Sequence, residues 1–290
     1  MTVATGKISK SRRYRTRRGR NIVVLSLAVM ATGMALLVLT AILLKLFWEG
    51  ASALGPSLFT MITPPPDRAG GLSNAIVGTI ALTVFGTLIG TPVGILAGTY
   101  LAEYSRGSLF SNTVQFINDI LLSAPSIIIG LFIYEVMVVP MQHSSGWAGS
   151  VALAILVVPV VVRTTVDMLA LVPNSLREAA AALGAPRWKI ITNVCYRAAM
   201  QGMLTGVMLA VARISGETAP LLFTAFGNPD MSLNMNKPIA ALPLVINQFV
   251  NDPSEIWNRL AWGGALLITV AILTLNIAAR YLASRSSLKQ

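Results

Sequence analysis

Long apolar stretches separated by short polar segments are the main pattern along this chain. Six stretches are long enough to cross a bilayer, because about 20 helical residues span the hydrocarbon core. They lie at roughly 22–47, 74–101, 113–139, 147–166, 198–225 and 260–282. Strand-like alternation of apolar and polar residues is absent, and backbone groups in lipid must be hydrogen-bonded within their own segment. The pattern predicts an all-α polytopic membrane protein with about six transmembrane helices.

Composition agrees with this class and excludes several others. Hydrophobic residues make up 54% of the 290 positions and charged residues 11%, whereas soluble domains carry about 25% charge. The single Cys195 excludes an intramolecular disulfide, and the lone His143 supplies no metal cluster. No GxxxxGK[ST] phosphate loop occurs, so we do not expect the chain to be an enzyme that hydrolyses ATP by itself.

The charge is strongly basic and concentrated at the N-terminus. The net charge is +11, and eight basic residues lie in the first 20: Lys7, Lys10, Arg12, Arg13, Arg15, Arg17, Arg18 and Arg20. Nucleic-acid binding is one interpretation of such an arm. Because the arm adjoins an apolar stretch longer than a signal-peptide core of about 7–15 residues, a cytoplasmic anchor beside anionic lipid is favoured. We therefore predict a basic cytoplasmic arm at 1–21, a retained transmembrane helix at 22–47, and no nucleic-acid partner.

Orientation follows from the distribution of Lys and Arg. With the N-terminus inside, seventeen basic residues lie on the cytoplasmic side and four on or near the opposite side. Cytoplasmic loops of membrane proteins carry this excess. The asymmetry predicts that both termini are cytoplasmic, which requires an even number of spans. The third and fourth spans are the least defined, since only the short polar segment 142–146 separates them.

Small residues recur at helical spacing within two predicted spans. Gly86, Gly90, Gly94 and Gly98 are four residues apart in the second span, and Gly202 and Gly206 repeat the pattern in the fifth. Such a ribbon lets two membrane helices approach closely, which predicts a packed bundle and not a single anchor. Three prolines lie within spans: Pro92, Pro125 and Pro159. They fit either simple kinks or broken helices that line a pathway.

A helix, a glycine turn and a second helix are predicted between the fourth and fifth spans, in residues 173–189. Ser175 and Glu178 have the spacing of a capping box, in which each side chain accepts from the other residue's free amide. Gly184 stands where a helix ends in a left-handed residue, and Pro186 suits the first turn of a second helix.

These residues resemble the EAA motif of the ABC-importer permease family. The match is Glu178-Ala179-Ala180, three further residues and then Gly184, about a hundred residues before the C-terminus. The family pattern continues with Ile-x-Leu-Pro, and here Val194-Cys195-Tyr196-Arg197 departs from it after the first position. The resemblance implies a type I, MetI-like importer bundle over residues 70–285, with an EAA loop at 173–197 that docks onto an ATPase subunit. The contact residues implied are Glu178, Ala179, Ala180, Gly184, Pro186 and Trp188. The alternative is a hairpin that only connects two spans.

A second segment resembles the phosphate permeases of this family. It runs Ala212-Arg213-Ile214-Ser215-Gly216-Glu217-Thr218-Ala219-Pro220, and the likeness extends to residues 123–130 and to the start of the last span, 260–262. The resemblance implies one half of the pathway of an ATP-driven, high-affinity phosphate importer. It also implies a homologous permease, PstC, a dimer of the ATPase PstB, and the periplasmic phosphate-binding protein PstS. ATP and Mg²⁺ would be bound by the ATPase, with no cofactor in this chain.

The residues themselves support a site in the fifth span. Arg213 and Glu217 are four apart, which places them on one helix face, near mid-span, where ionisable groups are costly and usually functional. Arginine offers a fixed fork of donors that matches phosphate oxygens. A structural ion pair is the alternative. Further polar side chains are candidates for the substrate pathway, although each also suits helix packing: Ser215, Thr218, Ser123, Ser126 and Asn118.

Three other functions remain open at this point. The first is an ABC-importer permease for molybdate, sulfate or an amino acid. The second is a secondary transporter or channel, which would need no EAA loop. The third, a membrane anchor or sensor, is disfavoured by the intramembrane charges and the glycine ribbons.

Overall fold

The computed structural model describes residues 12–287, and this part of the chain is helical with no β-strand. Thirteen α-helices occur in the described residues. They are α1 Arg12–Ala53, α2 Pro56–Thr60, α3 Ser73–Thr99, α4 Leu109–Ser123, α5 Ser126–Ile133, α6 Val139–Met141, α7 Gly146–Ala170, α8 Asn174–Ala182, α9 Arg187–Ile190, α10 Tyr196–Ser215, α11 Ala219–Thr224, α12 Leu242–Val250 and α13 Glu255–Ser287. Short π-helical turns follow α3 at Tyr100–Tyr104, follow α5 at Tyr134–Val138 and precede α10 at Ile191–Cys195.

The chain forms two units, Met1–Trp48 and Glu49–Gln290. In the first unit, α1 begins at Arg12, so the second half of the predicted basic arm continues the helix of the first span. Residues 1–11 of that arm lie outside the described residues. Apolar side chains of α1 such as Met34 and Leu37 are exposed, as expected for a helix whose surroundings are lipid.

Five described helical stretches are long and apolar enough to span a membrane, or six if one bent pair counts as a span. The bent pair is the predicted third span. Its two parts, Leu109–Ser123 and Ser126–Met141, meet at 100°, so the predicted span 113–139 is a broken helix, one of the two alternatives left open for Pro125. Apolar content measured over about 20 residues does not report a change of direction inside the stretch.

Packing of α3 against α7 shows how the bent pair runs. A Cβ on Gly86 would lie 2.9 Å from the Leu153 Cβ, and a Cβ on Gly98 would lie 2.7 Å from the Thr165 Cβ. The two helices are therefore in close contact and parallel, as the glycine ribbon predicted. Since both begin at the same end of the bundle, the chain between them must return across it. The bent pair makes that crossing, which accounts for an even total of six.

The two ends of the bundle differ. We call the end that carries 61–72 and 226–241 the loop end, and the end that carries 104–108 and 171–190 the EAA end. Helix α10 runs antiparallel to α7, because Gly206 packs on Thr164 while the earlier Gly202 packs on Met168.

A buried asparagine organises the loop end. Asn74, in the first turn of α3, accepts hydrogen bonds on its Oδ1 from the amide and hydroxyl of Thr63, at 3.0 and 2.8 Å. Its Nδ2 donates to the carbonyls of Asn228 and Pro229, at 2.9 and 2.8 Å. One side chain thus ties two distant loops to the start of α3.

Candidate functional site

Two of the predicted spans are interrupted along their length. The first interruption lies between α4 and α5, where Ala124 and Pro125 have extended backbone angles. Pro125 has no N–H to continue the helix, and the direction changes by 100°. The second lies between α10 and α11, where Gly216 follows the last residue of α10 and Thr218 precedes α11. Broken helices within a membrane bundle are tolerated where they lie against protein or line a cavity.

The two broken helices meet directly after their interruptions. A Cβ on Gly130 of α5 would lie 2.5 Å from the Pro220 Cα of α11, so only glycine permits this approach. Ser126 lies one turn before Gly130, and Thr218 lies two residues before Pro220. Of the three prolines singled out, only Pro125 accompanies a break, since Pro92 and Pro159 lie inside uninterrupted helices.

Arg213 and Glu217 form the ion pair of the second interruption. The Arg213 Nε and the Glu217 Oε1 are 3.9 Å apart, with side-chain exposures of 40% and 18%. The expectation that both lie on one helix face was wrong in detail, because α10 ends at Ser215. Arg213 and Glu217 still contact each other because the chain makes one further turn after α10, in which the Glu217 amide donates to the Ile214 carbonyl at 3.2 Å.

The other predicted pathway residues are spread over four locations. Ser126 and Thr218 are half-buried at the starts of α5 and α11, beside the interruptions. Ser215 donates to the Val211 carbonyl at 2.7 Å and lines an apolar cavity of about 370 Å³ between α3, α10, α12 and α13. Ser123 is exposed and donates to the Asp119 carbonyl at 2.6 Å.

Asn118 lies at the contact between α4 and α7. It is buried, and its Nδ2 donates to the Pro159 carbonyl at 3.1 Å. Its side chain therefore connects α4 to α7, and the structure does not bring it together with Arg213.

Sequence reasoning missed an ionic cluster close to Ser123. Arg163 on α7 contacts Asp119 on α4 at 3.1 Å and Asp167, one turn further along α7, also at 3.1 Å. All three side chains are about half exposed. The four-residue spacing of Arg163 and Asp167 was a visible signal, but the partner 44 residues away was not.

The EAA loop has the predicted helix, glycine turn and helix, formed by α8, Gly184 and α9. Gly184 has φ +78°. Its amide donates to the Ala181 carbonyl at 2.9 Å, and the Ala185 amide donates to the Ala180 carbonyl at 3.2 Å. These two bonds are those of a Schellman motif.

The predicted capping box is absent from the EAA loop. The N-cap residue of α8 is Pro173, which has no side-chain capping bond. Because the helix begins at Asn174, Ser175 is its second residue and not the cap. The Glu178 side chain is exposed.

The remaining predicted contact residues form an outward surface at the EAA end. Ala179 and Pro186 are exposed and Ala180 is half-buried. Two large apolar side chains project beside them, since Leu183 is 89% exposed and Trp188 59% exposed. Exposed apolar side chains that lie together in this way are typical of interaction surfaces.

Comparisons with known proteins agree with this architecture. Residues 90–287 match the family model described as "Binding-protein-dependent transport system inner membrane component". The chain is 56% identical to the "Phosphate transport system permease protein PstA" of Haemophilus influenzae, over 94% of this chain and 97% of that protein. It is 36% identical to the "Probable phosphate transport system permease protein PstA" of Methanocaldococcus jannaschii, over 86% and 89% of the two chains.

Solved structures of importer permeases share the fold. A bacterial alginate ABC transporter in complex with its periplasmic protein matches with a TM-score of 0.66, at 14% identity over 94% of this chain and 98% of that chain. The inward-facing MetNI methionine ABC transporter matches with a TM-score of 0.60, at 19% identity over 73% and 94%. Identity over nearly the whole length, the family model and the shared bundle lead to one conclusion. The chain belongs to the PstA family of binding-protein-dependent transport permeases, which are multi-pass inner-membrane components.

Proposed function

We propose that this chain is the permease subunit of an ATP-driven importer of inorganic phosphate, and that it forms half of the translocation pathway. Relatives that are 50–56% identical over nearly its full length are phosphate transport permeases. The observation that carries the proposal is the Arg213–Glu217 pair at the interruption between α10 and α11, which places a cation at the end of α10.

Arg213 suits an anion that passes through the bundle. Its contact with Glu217 is a single approach of 3.9 Å, longer than a hydrogen bond. Among residues 12–287 the structure describes no other partner for its guanidinium, so donors remain for phosphate oxygens. A permanent cation lowers the barrier for a phosphate anion in a medium of low dielectric constant, and Glu217 limits the cost of that cation while the pathway is empty.

Ser126 and Thr218 are the hydroxyl groups that we assign to the same pathway, since both lie at the interruptions. We also assign Ser123, the last residue of α4, to this pathway. Ser215 and Asn118 belong to the pathway only if the bundle rearranges, because their side chains now bind backbone carbonyls. Alternating access moves packed helices against each other, and it supplies such a rearrangement.

The EAA loop is the proposed contact with the ATPase. Leu183 and Trp188 would fill a hydrophobic cleft, with Glu178 at the polar rim, in the arrangement common to protein interfaces. ATP and Mg²⁺ would be bound by that partner and not by this chain. By family likeness the partners are a PstB dimer, a PstC permease and the phosphate-binding protein PstS.

Orientation is part of the proposal. The Lys and Arg excess lies on the arm and at the EAA end, so the EAA end and both termini would face the cytoplasm. The loop end would face the periplasm and receive the binding protein. The protein would lie in the inner membrane of a bacterium.

The test is uptake by the purified four-component complex in liposomes that enclose ATP. We expect uptake of labelled phosphate that requires ATP and the loaded binding protein. Excess sulfate or molybdate should not compete. Equal competition by either oxyanion would instead favour an ABC importer for another solute, and uptake by this chain without an ATPase would favour a secondary transporter.

A further inference from the structure

A largely buried ion pair connects the EAA loop to the transmembrane helices. Arg177 on α8 contacts Glu103, in the π-helical turn after α3, through two bonds: Nη2 to Oε1 at 2.6 Å and Nε to Oε2 at 3.2 Å. Their side chains are 16% and 8% exposed. This two-point geometry fixes orientation as well as distance, and the Glu103 bond raises the pKa of Arg177, which therefore keeps its charge.

Arg177 also binds the last turn of α7 and the segment that follows it. Its Nη2 donates to the Leu169 carbonyl at 2.8 Å, and its Nη1 donates to the Val172 carbonyl at 2.6 Å. Carbonyls at the end of a helix have no partner within the helix. One guanidinium thus joins α8, the end of α7 and the turn after α3.

The second helix of the EAA loop reaches the same turn. Arg187 of α9 donates from Nη2 to the backbone carbonyl of Glu103, and its guanidinium lies 4.7 Å from the centre of the Tyr104 ring. Both helices of the EAA loop are therefore held on five residues, Tyr100–Tyr104. That turn is continuous with α3, and α3 packs along α7 through the glycine ribbon.

We propose that Glu103 is a positioning residue that passes displacement of the EAA loop to α3 and α7, so that ATPase motion becomes movement of the pathway. This inference rests on the proposed function. The ATPase contact is assigned to the outward surface of the EAA loop, whereas the Glu103–Arg177 pair lies on its inward side. Loss of the pair should leave docking intact and remove coupling.

The experiment uses the complete complex with Glu103→Gln. Glutamine keeps the shape and one acceptor for Arg177 but removes the charge, and the Arg187 bond to the backbone of residue 103 is unaffected. The matched control is Glu135→Gln. Glu135 also lies in a π-helical turn, Tyr134–Val138, but it is exposed and makes no ion pair among the described residues.

Three quantities are measured: the ATPase that co-purifies, ATP hydrolysis without binding protein, and hydrolysis stimulated by phosphate-loaded binding protein. Coupling between sites usually corresponds to roughly 5–150-fold. We expect Glu103→Gln to co-purify normally and to lose stimulation roughly fivefold or more per assembled complex, with Arg177→Lys intermediate and Glu135→Gln unchanged.

Two results would overturn the inference. One is normal stimulation in Glu103→Gln. The other is reduced assembly with unchanged stimulation in the complexes that form, since that shows a purely structural role. If the Glu103→Gln complex does not assemble, Glu103→Asp is used instead, since aspartate keeps the charge but has a shorter side chain. The Glu103→Asp complex is expected to assemble and to lose stimulation by the binding protein. Failure of both variants to assemble would also overturn the inference. A wild-type complex that phosphate does not stimulate would refute the proposed function instead.

Discussion

Replacement of Gly184 by valine tests whether the left-handed turn of the EAA loop is needed for ATPase binding. The residue has φ +78°, and a Cβ there would meet nothing within 4 Å. The cost is therefore conformational and not steric. Holding a β-branched residue in this region costs about 1–3 kcal/mol, which corresponds to roughly 5–150-fold in the population that keeps the turn.

Apparent affinity falls with the fraction of molecules in the binding-competent state. The Gly184→Val complex should therefore bind the ATPase roughly 5–150-fold more weakly, although the chain inserts normally. In Gly184→Asn the ATPase affinity should decrease much less, because asparagine tolerates the left-handed region. The assay is titration of the detergent-solubilised permease pair with purified ATPase, at equal permease concentration.

Gly107 provides the matched control. It has φ +76° and open space around its Cβ position, but it lies in the turn before α4 and outside the EAA loop. Gly107→Val has the same backbone cost and should leave ATPase affinity near the wild-type value. Wild-type affinity in Gly184→Val, or an equal loss in both variants, would refute the reasoning.

Three further predictions concern packing, the loop end and the arm. Gly90→Val should lower the melting temperature, because the added Cβ would lie 2.7 Å from the Ala154 carbonyl and such overpacking costs about 1–3 kcal/mol. The control Gly33→Val, whose Cβ would meet nothing within 4 Å, should leave the melting temperature unchanged. Equal melting temperatures for the two variants would contradict this prediction. Asn74→Ala should expose the 228–238 loop to protease, because the part-buried carbonyls of Asn228 and Pro229 lose their donor, at up to about 1–3 kcal/mol each. Unchanged cleavage would argue against this. Neutralising the eight basic residues in 1–20 should reduce correct insertion but not uptake per inserted molecule, and an altered phosphate affinity at equal abundance would count against that role.

Hydropathy and spacing could predict the broad architecture. The six apolar stretches, the glycine ribbon on α3 and the left-handed Gly184 depend on local composition or on helical periodicity. These features need no knowledge of which helices meet. The structure confirms the helical bundle and adds that Gly86, Gly90, Gly94 and Gly98 all face α7.

The backbone path inside a span could not be predicted in the same way. Pro125 and Pro159 both lie in apolar stretches, yet only Pro125 marks a break. Ser175 and Glu178 have capping-box spacing, but the N-cap of α8 is Pro173, two residues earlier than that motif requires. Local motifs compete, and tertiary packing decides between them.

Ion pairs between residues far apart in the sequence could not be predicted either. Glu103 and Arg177 are 74 positions apart, and nothing in the sequence indicates that these two charged residues meet. Asp119 and Arg163 meet through the same packing of distant helices. Arg213 and Glu217 were found because both charges lie close together within an apolar stretch.

Phosphate uptake by the Arg213→Ala, Glu217→Ala double variant tests the central claim most directly. An ion pair that serves only structure can often be replaced without loss, so removal of both charges separates that role from anion handling. The measurement is labelled phosphate taken up per assembled complex in ATP-loaded liposomes. The proposed pathway predicts a double variant that assembles normally but transports poorly, with Arg213→Lys partly active. Wild-type uptake by a correctly assembled double variant would contradict the claim that phosphate passes Arg213.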